Sequence, residues 1–129
     1  MNNRRDFLKL AVATTGLAFA VGPIPAFAGS DRSGKFSGRS NHVTKGKAVV
    51  TGNAVVLQSD FTFDGAPDAR VGFGRNGKYD SSTDLGALKK LKGKQSYRIG
   101  RAIDTAKYNE VYIWCRKFNV PLGVARLGR

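Results

Sequence analysis

A chain of 129 residues, 41% hydrophobic and 24% charged, has room for one domain and little more. Its net charge of +13 favours anionic partners, and its single cysteine excludes an intrachain disulfide. One histidine, together with one methionine that stands at position 1, leaves too few ligands for a His-rich metal centre or for His/Met haem ligation in a processed chain.

The N-terminus reads Asn3-Arg4-Arg5-Asp6-Phe7-Leu8-Lys9, which matches the R-R-x-F-L-K pattern of a twin-arginine export signal through Arg4, Arg5, Phe7 and Leu8. The apolar stretch over residues 10–21 is shorter than the ~20 residues that span a bilayer. Gly22, Pro23 and Pro25 then interrupt it, and Ala26-Phe27-Ala28 supplies an A-x-A end, with cleavage between Ala28 and Gly29. Residues 1–28 are therefore expected to be a signal peptide handed to the twin-arginine translocase. The processed chain is expected in the periplasm or elsewhere outside the cytoplasm, with no stable membrane anchor. It keeps an excess of about +11, because the signal removes Arg4, Arg5 and Lys9 against Asp6.

Residues 29–38 are polar and glycine-rich; 29–35 read as a linker, and the domain follows over residues 36–129. Residues 47–51 and 54–58 flank Gly52-Asn53 and predict a hairpin in which Val50 faces Val55 and Ala48 faces Leu57. That face continues as core through Phe61 and Phe63, with Asp60, Thr62 and Asp64 on the wet side. Asp64-Gly65-Ala66-Pro67-Asp68 is a turn by composition. A short strand over 70–73 leads into a loop over 75–83 that contains Asn76-Gly77. Leu85, Leu88 and Leu91, three apart, fit either a short helical turn or an irregular strand. Residues 95–99 alternate as a strand, 110–118 form the clearest strand of the chain, and 121–127 close against it. The pattern predicts an all-β fold: a single small β-sandwich or barrel of short antiparallel strands.

The chemistry available to this chain is sparse. Cys115 shares a strand face with Val111 and Ile113, as a core cysteine would, whereas Tyr112, Trp114 and Arg116 take the other face. A lone thiol outside the cytoplasm is instead a redox or ligand candidate if the strand end is open, since Lys117 would then activate it. Without a C-x-x-C-H motif, covalent haem attachment is excluded. A non-covalent haem would have to use His42, Cys115 or both, and a domain with no cofactor satisfies the sequence equally well. Asp60, Asp64 and Asp68 fit turn chemistry better than a cation site, so no metal is expected. No catalytic constellation and no phosphate-binding loop is present, so no enzyme is expected. Nucleic acid has only charge in its favour and is not expected after export.

Three segments taken together are similar to a known family. They are His42 followed by Gly46, then Phe61-Thr62-Phe63-Asp64-Gly65-Ala66-Pro67-Asp68-Ala69, then residues 111–120 around Trp114-Cys115-Arg116 with Leu122-Gly123 behind them. In that order they resemble the DM-thirteen domain family over residues 34–127. Members accompany DOMON domains in animal proteins of the Skeletor type and also occur alone in bacteria. Ala66 departs from a glycine common in the family, and Leu122 from a phenylalanine. The resemblance implies a β-rich extracytoplasmic domain with an electron-transfer role, its cysteine acting as a free thiol or as a ligand to a prosthetic group. Two functions follow as expectations. One is a redox module centred on Cys115 that meets a redox partner. The other is a binding or adhesion module in which Cys115 is core and a basic surface meets an acidic protein or the anionic envelope.

Overall fold

A computed structural model describes residues 31–128, so the export motif Arg4, Arg5, Phe7 and Leu8 and the junction of Ala28 with Gly29 lie outside the described residues. The predicted hairpin forms in its predicted register. Strands β3 (Lys47–Val50) and β4 (Ala54–Leu57) pair Ala48 with Leu57 and Val50 with Val55, and all four side chains are buried. The Thr51 hydroxyl fastens the turn by accepting from the amides of Asn53 and Ala54 at 3.4 and 3.1 Å.

Around this hairpin the chain builds one eight-stranded antiparallel sheet. In spatial order it runs Lys78–Asp80, Ala69–Arg75, Glu110–Cys115, Val120–Arg126, Arg32–Gly38, then β3, β4 and Gln95–Arg98. In chain order the new strands are β1 (Arg32–Gly38), β6 (Ala69–Arg75), β7 (Lys78–Asp80), β8 (Gln95–Arg98), β9 (Glu110–Cys115) and β10 (Val120–Arg126). The short pair β2 (Thr44–Lys45) and β5 (Thr62–Phe63) forms a second small sheet. The large sheet curls into a half-barrel around Phe36, Leu57, Phe61, Phe63, Phe73, Ile113 and Leu122. The fold is all-β; among the described residues the only helical turns are 3-10, at Ser81–Thr83 and Thr105–Lys107.

Three expectations need correction. The expected linker over 29–35 contains the start of β1, which begins at Arg32 and lies in the middle of the sheet, pairing with β3 and β10. Polar composition hid its first half, residues 32–35, which has no buried side chain and is held by pairing with β3. The loop over 75–83 is instead a tight hairpin from β6 to β7. Asn76 and Gly77 have φ of 51° and 87°, the left-handed pair that a two-residue turn of matching twist requires. The strand read over 110–118 stops at Cys115, and residues 116–119 turn, with Asn119 left-handed at φ 56°. Phe118 is therefore 61% exposed rather than packed. Of the two alternatives open for the leucines spaced by three, the irregular strand is the closer: they lie on an irregular extended segment. Its main chain runs along the sheet margin, with Leu85 N and Leu88 N donating to Val71 O and Ala69 O and Leu91 O accepting from Phe63 N.

Candidate functional site

The three signature segments meet at one end of the half-barrel. β5 delivers Phe63 to the core, and the chain then crosses as a strap, residues 64–68, to the start of β6, where Ala69 stands opposite Cys115. The strap is tied at both ends. At its start, Asp64 Oδ2 accepts from the Val43 amide at 3.0 Å, and Asp64 Oδ1 lies 2.9 Å from His42 Nδ1, a contact that requires the proton on Nδ1. The Val43 amide and then the His42 ring hold the Asp64 carboxyl below the usual carboxylate range. At its end, Asp68 Oδ2 accepts from Arg116 Nε at 2.7 Å, and Asp68 O accepts from the Arg116 amide at 3.1 Å. Arg70 stands 3.6 Å from the other Asp68 oxygen and is itself anchored on Asp84.

Cys115 lies under this strap. It is 1% exposed, and its Sγ donates to the Pro67 carbonyl at 3.2 Å. Gly65 at φ 100° and Asp68 at φ 49° give the strap two left-handed residues, which lets five residues bend over the sulfur. Asp64 and Asp68 thus do turn and clamp work, and Asp60 caps the Lys47 amide at 3.0 Å. Among the described residues no group of three or more His, Cys, Asp or Glu side chains is placed to hold a metal ion.

His42 and Cys115 share the strap but sit at opposite ends of it. The His42 ring packs 5.6 Å from that of Phe63 and is spent on Asp64, while the sulfur is sealed against Pro67. A haem does not fit between them as they stand, because the strap backbone fills the space over the sulfur. The clefts at Arg75–Tyr108, of about 560 and 440 Å³, lie at the other end of β6 and β9 and touch neither residue.

The opposite face of β9 carries an aromatic cluster, as its alternation predicts. Tyr79 of β7 stacks on Trp114 at 4.4 Å and 13°, and Tyr112 stands edge-on to both at 5.5 and 6.0 Å. Gly72 makes room for it: a Cβ there would fall 2.8 Å from Tyr79 Cε1. Burial first, then nearby carboxylates, pushes the Tyr79 and Tyr112 hydroxyls from 10 up to about 12. A raised folded value keeps the proton on the folded side. The stabilisation is complete below pH 10 and is lost as pH rises from 10 through about 12. We expect tyrosinate absorbance to lag the titration of free tyrosine and to appear together with loss of the fold, which parallel absorbance and circular dichroism titrations would check.

Sequence reading found Cys115, His42 and the strap residues but not what joins them. The Pro67 carbonyl as thiol acceptor is invisible, since any carbonyl can accept. The clamp of Arg116 on Asp68 spans 48 residues and leaves no spacing signal; only Arg116's place beside Trp114-Cys115 hinted at it. Comparison with curated proteins and with solved structures finds no match. A family model described as Electron transfer DM13 matches residues 35–127 and takes in β2, the strap and Cys115, and the chain belongs to that family.

Proposed function

We propose that this chain is an exported electron-transfer module of the extracytoplasmic space, with Cys115 as its redox centre and the strap over residues 64–68 as its cover. Export rests on the twin-arginine pattern of residues 3–9 and the A-x-A end at Ala28. The redox role is supported by family membership. The observation that carries the assignment to Cys115 is that the strap, tied at its start by Asp64 to His42 and at its end by Asp68 to Arg116, lays the Pro67 carbonyl on this one sulfur. The thiol reacts only when the strap lifts, so a partner that loosens the strap controls access to it. No catalytic turnover is assigned to the module itself.

A second reading keeps Cys115 as a packing residue and gives the work to the basic surface. Its support is the 1% exposure of Cys115 and the hydrogen bond to Pro67, both ordinary for a core cysteine. Cys115→Ser separates the two. Serine can keep the bond to Pro67 but buries a more polar group, so a loss of about 1–2 kcal/mol is expected on either reading. The redox reading further requires that the variant lose whatever thiol-dependent electron transfer, visible band or partner reduction the exported protein shows. An unchanged redox profile in Cys115→Ser defeats it and leaves the packing role.

A further inference from the structure

The three large hydrophobic side chains that stand out as exposed among the described residues gather around the strap. Val43 is 50% exposed and gives its amide to Asp64 at the start of the strap. Leu91, also 50% exposed, has its Cδ1 3.9 Å from where a Cβ on Gly65 would lie. Phe118, 61% exposed, sits in the turn whose Arg116 clamps Asp68. They come from three separate stretches of the chain, around residues 43, 91 and 118.

Each of the three has a lysine within two residues along the chain: Lys45 after Val43, Lys90 and Lys92 either side of Leu91, and Lys117 before Phe118. Lys45, Lys90, Lys92 and Lys117 are all exposed, and among the described residues none of them pairs with a carboxylate. The two carboxylates at this end, Asp64 and Asp68, are already held by His42 and Arg116. From residue 89 to 101 the chain carries six cations and no acid.

We propose that this end of the molecule docks on an anionic lipid surface, with Phe118, Leu91 and Val43 dipping into the head-group boundary and the lysines meeting lipid phosphates. Exposed apolar side chains with lysines beside them suit an anionic bilayer, whose soft boundary takes up apolar tips while its phosphates meet the cations. A protein partner would favour a contiguous apolar centre and is usually met by arginine and aromatic residues, with lysine depleted. Docking this way turns the strap and Cys115 towards the membrane. The contact does not use the thiol, so it stands or falls independently of the redox reading.

The test is co-sedimentation of the protein, in the form recovered after export, with vesicles of equal parts phosphatidylglycerol and phosphatidylcholine and with pure phosphatidylcholine vesicles. Every variant shares the same N-terminal segment, so differences report the strap end. Binding is expected only to the anionic vesicles and should weaken with salt. Lys90→Glu with Lys92→Glu should weaken it about tenfold or more, and Phe118→Ser about fivefold. Cys115→Ser should bind as the parent does. Lys78→Glu with Lys107→Glu, an equal charge change at the other end of the sheet, should have a much smaller effect. The proposal is overturned if the two charge-reversed pairs weaken binding equally, if neutral vesicles bind as well, or if Phe118→Ser changes nothing. It is also overturned if the protein ignores the vesicles yet binds polyglutamate through Lys90 and Lys92, which would assign the face to an acidic chain.

Discussion

Gly46→Ala is expected to remove at least about 3 kcal/mol of stability, enough to leave a domain of this size marginal or unfolded. Gly46 joins β2 to β3 with φ of 100°, a conformation that L side chains seldom adopt. A methyl group there would also fall 2.5 Å from Phe61 Cα and 2.6 Å from both Phe61 N and Asp60 O. All three are main-chain atoms, so no side chain can swing aside to relieve the overlap. Moving the backbone would disturb Phe61, which is 1% exposed and packs edge-on against Phe36 at 5.6 Å. It would also disturb the bond from Phe36 N to Gly46 O at 2.8 Å. Urea denaturation checks this: the midpoint should fall steeply with little change in slope, or the variant should fail to accumulate as soluble protein. Gly52→Ala is the control. It sits at a turn with nothing within 4 Å of its added carbon and φ outside the left-handed range, so its effect should stay within about 0.5 kcal/mol.

Gly46 also shows what kind of information the sequence carries. The glycine four residues after His42 could be seen as part of a family signature, but not as the point where two main chains cross. Legibility followed local physics. The β3–β4 register could be read because alternation and a turn signal lie within one short stretch, and a slip of one residue would have sent Val50 and Val55 to water. The face of β9 could be read for the same reason, down to the separation of Cys115 from Trp114. β1 could not, because Arg32-Ser33-Gly34-Lys35 has the composition of a linker and becomes a central strand only through its partners. Gly34 illustrates this, since a Cβ there would collide with the main chain of Arg126, more than ninety residues away in the chain. The candidate site divides in the same way. Its members could be named, but the strap that unites them depends on Asp68 meeting Arg116 and Pro67 meeting Cys115 across the fold. No local pattern encodes such contacts.

Cutting the strap's second tie should expose Cys115 without unfolding the domain, and Asp68→Ala is the change expected to do so. Asp68 holds the strap in two ways. Its carboxylate lies between Arg116 at 2.7 Å and Arg70 at 3.6 Å, and its backbone sits at φ 49°, where aspartate is tolerated better than alanine. Alanine loses the first and resists the second, whose cost alone is about 1 kcal/mol. Reaction of Cys115 with iodoacetamide, an uncharged reagent, should therefore speed up about tenfold or more. Asp68→Asn keeps a side chain that accepts the left-handed backbone and loses only the charge, so its rate should rise about two- to threefold. Both variants weaken the closed state, so each unfolding midpoint should fall by no more than the free energy that opening gains, about 1.4 kcal/mol for a tenfold rate, while labelling stays far faster than global unfolding allows. This separation of local from global effects decides what the sulfur is for. A strap that opens by itself, at a cost set by Asp68, makes a buried thiol available on demand, as a redox centre needs. If all three proteins instead react at rates that track their global unfolding, the strap is part of the core and Cys115 is reached only when the fold is lost. A redox partner could not then use it, and the packing reading would hold.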